Sequence, residues 1–312
     1  MRAILAFAVA LSLASEPPGR AATALTAVVV LVSPGPDAYR IAADAACRAI
    51  GSGGGASEVI VLDGPEAERR AVVRLRRDDP AVVAVGARAA RFVRTSVPMA
   101  RLTYAMVLDP ASLGLPGPGD APRDRLTGVT MDVDPAAQLA VLRTLAPDAR
   151  RVGVLYDPSV SGDAVRRATA AARAHGFEIV AQAVRGEGEV LPAANVLLPS
   201  VDALWGIADP TVLTAANARA LILLAMRSRK PLLAISEGFV RTGALAALAA
   251  DPVEVGKAAG QLSLELARGR GATAPLPPPR LDLFLNRATA EHIGVAVPKE
   301  LVAKASAVFP TP

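Results

Sequence analysis

Few side chains in this chain of 312 residues are of the kinds that carry chemistry, and their spacing argues against catalysis. There are two histidines, His175 and His292, and one cysteine, Cys47. Each histidine stands near the end of a helical run shortly before a glycine, where a cation suits the negative end of the helix dipole. Closed zinc sites take four ligands, and these residues supply no such set, so neither a metal nor a disulfide is expected. Cys47 lies among Ala43, Ala45, Ala46 and Ala49 and reads as a small apolar side chain. The glycine-rich GSGGGA at 51–56 follows a helical pattern and precedes a strand pattern. A dinucleotide loop needs the reverse order, so this stretch is a flexible connection. No GxxxxGK[ST] and no GxSxG occurs, and Asp78–Asp79 before Pro80 read as turn residues. No catalytic residue and no cofactor is assigned, and an enzyme is not expected.

The residues suited to binding rather than catalysis stand where apolar runs end. Ser33 follows Val32; Gly86 and Ala87 follow Val85; Asp157 follows Tyr156; Asp209 and Thr211 come after Ile207; Ser236 and Glu237 follow Ile235. Each is a polar or glycine-bearing turn leading into a helix. Helix N-termini offer unpaired N–H groups and a positive dipole end, which favour carboxylate or phosphate. Asp209, Glu237 and Asp251 supply the opposite sign, for an ammonium. A cleft with both features suits a zwitterion such as an amino acid. Ser, Asp and Thr are also routine helix caps, so any one of these residues alone is weaker evidence than the set.

These positions have meaning only if the elements before them are strands of a parallel sheet. Short apolar runs at 26–32, 58–62, 81–85, 151–156, 177–184, 202–207 and 231–235 read as buried strands. Helical patterns at 37–50, 65–76, 136–145, 162–175, 211–229 and 253–268 separate them. Continuous apolar strands alternating with helices indicate parallel sheets covered on both faces, and open sheets of that kind bind ligands beyond the carboxyl ends of their strands. The series occurs twice, at about 26–110 and 151–248. A Pro/Gly-rich stretch at 113–122, then 126–130, leads into a crossing between the two units; a second such stretch lies at 269–279. The expected fold is α/β, with two doubly wound parallel-sheet lobes. The expected division is 24–128 with 250–278 for the first lobe and 129–249 with 279–312 for the second.

Bulk composition agrees with two globular units and excludes some partners. Half the residues are apolar (52%) and only 3% are aromatic, so the cores are built from Ala and Val. The net charge is +5. Arginines such as Arg69, Arg70, Arg74, Arg76 and Arg77 lie along a helical stretch without aromatic interleaving, which reads as a solvated face rather than a nucleic-acid surface. At the N-terminus, Arg2, an apolar run at 3–14 and small residues after it read as a secretory signal, taken as 1–23, with cleavage after Ala14 or in the Ala21–Ala22 region and an uncleaved anchor as the alternative. No cysteine stands there to carry a lipid anchor, and no later stretch is apolar for the length of a membrane span. An exported, periplasmic protein is expected.

Several stretches resemble one family. LTGVTMD at 126–132, QLAVLRTLAPDARRVGVLYDP at 138–158, DALWGIADPTV at 202–212, PLLAISEGFVRTGALAAL at 231–248, VGKAAG at 255–260 and LNRATAEHIGVAVP at 285–298 are similar to the ABC transporter substrate-binding proteins of the type I periplasmic-binding fold. Within it they resemble the branch that includes aromatic-amino-acid receptors. The first lobe resembles the family more weakly, through 84–87 and Asp109–Pro110. The resemblance implies two lobes joined by three crossovers that close on a small-molecule solute, with a permease and an ATPase as partners and a monomeric receptor. It carries the pocket onto Gly86, Ala87, Tyr156, Asp209, Thr211, Ser236 and Glu237. Ala87 replaces the family's usual hydroxyl, Pro210 replaces its usual Asn, and the loop 33–37 lacks bulkier polar groups. These changes remove hydrogen-bonding groups and leave a ligand other than an amino acid open. A sensing or interaction protein of the same fold, without transport, is the alternative.

Overall fold

The computed structural model describes residues 26–117 and 119–310; the expected signal segment, 1–23, lies outside them. The chain begins with β1 (Thr26–Val32), α1 (Asp37–Ser52), β2 (Gly55–Val61), α2 (Pro65–Asp78), β3 (Ala81–Val85), α3 (Ala87–Ser96), β4 (Arg101–Ala105) and β5 (Leu126–Gly128). These strands form one five-stranded sheet in the order β2-β1-β3-β4-β5, parallel throughout. The central strands β1 and β3 are buried on both faces because both carry helices. Each Val buried there is worth roughly 1.5–3 kcal/mol relative to exposure.

The second unit contains α4 (Pro135–Leu145), β6 (Arg151–Tyr156), α5 (Pro158–Ala174), β7 (Glu178–Ala183), α6 (Val190–Leu197), β8 (Ala203–Trp205), α7 (Ala215–Arg227), β9 (Leu232–Ala234), α8 (Glu237–Arg241) and β10 (Ala246–Ala250). The chain then returns to the first unit as α9 (Pro252–Ala267), which packs with α1 over the first sheet around Ala42, Ala46, Val255 and Ala259. It ends in the second as β11 (Leu281–Asn286), α10 (Arg287–Ile293), α11 (Lys299–Lys304) and β12 (Ala307–Phe309). The second sheet has seven strands in the order β12-β11-β10-β9-β8-β6-β7.

Two doubly wound α/β lobes were expected and are found, but the second sheet is mixed: β11 runs antiparallel to β10. The expected strands at 202–207 and 231–235 shorten to three residues each; of the glycines at 51–56, Gly51 lies in the last turn of α1, Gly53 and Gly54 form the connecting turn, and Gly55 starts β2. The Pro/Gly-rich stretch at 113–122 belongs to the connection between β4 and β5 within the first sheet, so the chain crosses only after β5. That connection is held by the buried Tyr104, whose hydroxyl donates to the Pro116 carbonyl oxygen at 2.5 Å.

Three helices start in the same way. Asp134, Asp157 and Asp251 accept a hydrogen bond from the N–H two residues on, and a proline fills the first helical position. The carboxylate satisfies an orphan donor and the proline lacks the N–H that would have been orphaned. Helix α5 starts a turn earlier than the expected 162, with a kink at Ser161 (φ −120°, ψ 15°).

Candidate ligand-binding cleft

The connections between the lobes show which ends of the sheets face each other. The chain leaves the first sheet from the carboxyl end of β5 and leaves the second from the carboxyl end of β10. It re-enters at the start of β11, which lies beside the end of β10 because the two are antiparallel. The crossing segments are joined by hydrogen bonds: Leu276 N to Gly128 O at 2.9 Å, Thr130 N to Leu276 O at 2.9 Å, and Asp251 N to Arg280 O at 3.0 Å. A hinge built at the carboxyl ends of both sheets puts the strand-end loops of both lobes on its cleft side.

On the first lobe, Ser33 and Gly86 stand at adjacent strand ends. Ser33 is buried, and its hydroxyl oxygen accepts from Ala89 N at 2.9 Å, one of the orphan donors of α3. Gly86 has φ +87°, and a Cβ there would lie 2.7 Å from Ser33 Oγ and 2.8 Å from the Tyr39 ring. The position therefore requires glycine. Ala87 is exposed as the first residue of α3. Met106, just past β4, has a positive φ of 56°, an unusual conformation for a non-glycine residue.

On the second lobe, Tyr156, Asp157, Asp209 and Thr211 come together where β6 and β8 end. Asp209 is 1% exposed. Its Oδ1 accepts from Thr211 N at 2.9 Å and Val212 N at 3.3 Å. Its Oδ2 accepts from Asp157 N at 2.7 Å and from the Ser161 hydroxyl. A carboxylate has about four acceptor sites, and the protein fills all of them. Asp157 accepts from Ser159 N at 2.9 Å, Ser159 Oγ at 2.6 Å and Thr211 Oγ1 at 3.2 Å. Chiefly the Ser159 hydroxyl, then the Ser159 N–H, holds its carboxyl below the usual carboxylate value.

Ser236 precedes α8 with a hydroxyl that makes no capping bond. Glu237 pairs with Arg241 at 2.7 Å one turn along the same helix, and the Arg241 guanidinium lies 4.5 Å from the centre of the Phe309 ring. Asp251 is 3% exposed and sits in the hinge, where it caps α9 through Val253 N at 2.8 Å and meets Arg280 at 2.8 Å. The structure thus places Ser33, Gly86, Ala87, Tyr156, Asp157, Asp209, Thr211 and Ser236 at strand ends. It gives the carboxylates of Asp209, Glu237 and Asp251 partners within the protein.

Two residues at these strand ends carried no signal in the sequence. Tyr39, in the first turn of α1, lays its ring across Gly35 and Gly86, and burial raises its phenol above the ordinary value. Ser161 reaches Asp209 from within the kink of α5, across 48 residues of sequence. Both depend on contacts that spacing along the chain does not reveal. Among the described residues no group of His, Cys, Asp and Glu is placed to hold a metal ion. A cavity of about 30 Å³ lined by Leu155, Leu204, Val212, Leu221 and Phe239 lies behind the second sheet. It is about water-sized, with almost wholly apolar walls, and reads as a packing gap beneath the loops.

Comparison with known proteins gives the same architecture. A profile of the family described as ABC transporter substrate binding protein matches residues 68–309. The chain is 26% identical over 178 residues to a tyrosine-binding protein of Clostridioides difficile. That alignment takes in 56% of this chain and about half the relative's length (51%). Among solved structures, the ABC domain in complex with L-Trp from Streptococcus pneumonia superposes with a TM-score of 0.71 at 20% identity, over 91% of this chain and 100% of that one. The ligand-free, open structure of a substrate binding protein with adhesive properties from Clostridium difficile gives a TM-score of 0.74 at 18% identity, over 92% and 100%.

Proposed function

We propose that this chain, which belongs to the ABC transporter substrate-binding protein family, captures a small polar solute between its lobes outside the cytoplasm and delivers it to the permease and ATPase of an ABC-type importer. The observation that carries this reading is the common placement of the crossings: the hinge lies at the carboxyl ends of both sheets, so two sets of polar helix-leading loops border one cleft. Closure is then a hinge motion, favoured by whatever contacts the ligand makes to both lobes at once. For this motion the lobes are taken as 24–128 with 250–278 and 129–249 with 279–312. No described helix is long and apolar enough to cross a membrane. The reading is of a monomer, exported by the segment 1–23.

An amino acid is the ligand class favoured by the relatives, one named for tyrosine and one solved with L-Trp. Ser33, Gly86, Ala87, Tyr156, Thr211 and Ser236 are the proposed contacts. Asp157 and Asp209 act as positioning residues that hold the second lobe's loops in place, and Asp251 acts through the hinge. Glu237 meets the ligand only if it exchanges Arg241 for it. The proposed capture involves no change to the ligand.

The test is a thermal-shift screen against amino acids, small carboxylates, purines and sugars, with recovery of the bound compound. A ligand at 100 times its Kd stabilises the fold by about 2.7 kcal/mol. The expected result is a reproducible rise in Tm with one class and recovery of the compound unaltered. A cooperative melt that no compound shifts would overturn solute capture. Conversion of the compound would indicate an enzyme. Binding without stimulation of a reconstituted permease–ATPase pair would indicate sensing.

A further inference from the structure

We propose that the first lobe carries a second binding site, for an oxoanion of the phosphate class, between the end of α3 and the segment entering β5, held by Arg94, Arg123 and Arg125. These three arginines line one cavity of about 360 Å³. Leu102 and Leu126, at the starts of β4 and β5, also line it, which places it at the amino ends of the first sheet. The solute cleft borders the carboxyl ends of the same strands, so the two sites are at opposite ends of the lobe.

The guanidinium groups converge. Arg123 Nη1 donates to Gly114 O at 3.2 Å, and a Cβ on Gly114 would lie 3.6 Å from Arg94 Nη2, so two cations approach the same residue from different segments. Arg125 Nη2 donates to both carboxylate oxygens of Asp79, at 3.0 and 2.9 Å. The Nε–H groups of Arg94 and Arg125 are both buried, and neither has an acceptor among the described residues. A buried donor without an acceptor is costly. Two of them on residues of one cavity wall are satisfied together by an anion toward which the guanidiniums turn. The carboxylates of this region do not supply it. Asp79 is shared by Arg101 and Arg125, Asp120 lies 3.7 Å from Arg123, and Arg94 has no carboxylate partner among the described residues. Asp124 also lines the cavity, and three guanidiniums against its one carboxylate leave the wall electropositive.

Guanidinium forks match carboxylate and phosphate alike. Here one comes from a helix end and two from the chain before β5, and several forks from separate segments suit the tetrahedral oxygens of a phosphate better than the two coplanar oxygens of a carboxylate. Val97, Pro98 and Met99 form an apolar flank, with Met99 73% exposed. Such a flank accommodates the carbon side of a phosphate ester, whether a free compound or the headgroup of a lipid. The arginines of α2 differ. Arg69, Arg70, Arg74 and Arg77 border a depression of their own, but Arg74 and Arg77 are paired with Glu58 and Asp78, and among the described residues no guanidinium there has a buried nitrogen without a partner.

The test is calorimetric titration of the full chain, at constant ionic strength, with inorganic phosphate, glycerol 3-phosphate and succinate. A phosphate compound is expected to bind, and succinate at least about tenfold more weakly. Arg94→Gln and Arg123→Gln should each weaken the phosphate compound about tenfold or more. Arg70→Gln removes the same charge from α2 and should stay within about twofold, because an exposed charge acts there only through screened solvent. Melting gives a second readout: phosphate should raise the Tm of the parent and of Arg70→Gln but not that of Arg94→Gln, whose own Tm without phosphate should be no lower than the parent's. Co-sedimentation with phosphatidylglycerol or phosphatidylcholine vesicles separates the sources. Capture by phosphatidylglycerol alone, lost in Arg94→Gln and kept in Arg70→Gln, would assign the site to a lipid headgroup; soluble binding without capture would assign it to a free phosphate compound. Absence of both, or equal losses in Arg94→Gln and Arg70→Gln, would overturn the site, as would succinate bound as tightly as phosphate. None of these outcomes bears on solute capture in the cleft.

Discussion

The backbone N–H of Asp157 donates to Asp209 Oδ2 at 2.7 Å, and Thr211, two residues beyond Asp209, donates its hydroxyl back to Asp157 Oδ2 at 3.2 Å. The ends of β6 and β8 are thereby tied in both directions, and the Ser161 hydroxyl adds the first turn of α5 to the same carboxylate. The loops that border the second lobe's side of the cleft move as one piece because a single buried carboxylate holds them.

Asp209→Ala should therefore cost stability before anything else. It leaves the N–H groups of Asp157, Thr211 and Val212 without their acceptor in a buried place. Hydrogen bonds to a charged group are worth about 1.5–3 kcal/mol, and stranded donors add to the loss. The expected cost is about 3 kcal/mol by urea denaturation. Asp209→Asn should also destabilise, because its amide NH2 must face N–H donors on one side. An unchanged denaturation midpoint in both variants would show that water replaces the carboxylate freely.

Acid sensitivity should come in part from Asp202. Its carboxylate accepts from Arg151 N at 2.9 Å and Arg150 N at 2.8 Å, tying the start of β8 to the start of β6. The backbone bonds, Arg151 first, hold its carboxyl below the usual carboxylate value. A depressed folded value means the contribution is complete above the unfolded value and is lost as pH falls through the folded one. Melting temperatures measured from neutral pH downward should thus fall more steeply below pH ~4 in the parent than in Asp202→Asn, which starts lower. Parallel curves would remove Asp202 from the acid response.

At Gly86 two costs coincide: a φ of +87° and a space already taken by Ser33 and Tyr39. Gly86→Ala should lose about 2 kcal/mol and should displace the Tyr39 ring, weakening ligand as well. Calorimetric melting of the variant gives the first quantity and titration the second. A variant as stable as the parent would mean that this turn relaxes.

Much of this arrangement was legible before folding because apolar runs that end in Asp-Pro or Gly announce both a strand and the helix after it. Val85-Gly86 and Tyr156-Asp157-Pro158 are such places, and the structure puts strand ends there. What the sequence concealed was carried by alanine or by distance. Strand β10, Ala246–Ala250, is built of Ala and Leu, which favour helix as readily as strand, and only its neighbours β9 and β11 decide it. Antiparallel β11 left no sign, since direction is set by where α9 returns the chain. Tyr39 lies in an amphipathic helix pattern, and only folding brings Gly35 and Gly86 beneath its ring. Asp251 has the acidic type of a ligand candidate, and its position gives it the cap of α9 and a hinge ion pair that spacing along the chain does not announce.

That hinge pair can be separated into its parts. Asp251→Ala removes the cap of α9 and the partner of Arg280, whereas Asp251→Asn keeps an oxygen for Val253 N and loses the charge. Loss of an N-cap costs about 1 kcal/mol. Arg280 is 60% exposed, so the ion pair adds no more than about 1 kcal/mol. The alanine variant should therefore lose about 2 kcal/mol and the asparagine variant less than half of that. The backbone bond from Asp251 N to Arg280 O survives both substitutions, so a changed radius in small-angle scattering of the ligand-free alanine variant would come from loss of the Arg280 pair between the crossing segments. An unchanged radius would leave Asp251 as a cap alone.

Helix α9 makes the fold two lobes with three crossings, and its seat on α1 is set by glycine. A Cβ on Gly256 would fall well inside contact distance of the Ala42 carbonyl oxygen, and one on Gly260 would meet Ala46 O at 2.5 Å. Both obstacles are backbone and cannot rotate away. Intrinsic helix propensity alone predicts that Gly256→Ala gains about 1 kcal/mol. Packing predicts the opposite, because the two helices must separate and the contacts of Ala42, Ala46, Val255 and Ala259 loosen together. We expect a loss of about 3 kcal/mol. The matched control is Gly51→Ala in the last turn of α1, where a Cβ meets nothing within 4 Å and propensity should act unopposed, raising stability by about 0.5–1 kcal/mol. Opposite signs for the two substitutions, in the same denaturation experiment, would establish that close helix approach rather than backbone freedom keeps glycine at 256. A gain at both would show that α9 can shift on α1 without cost.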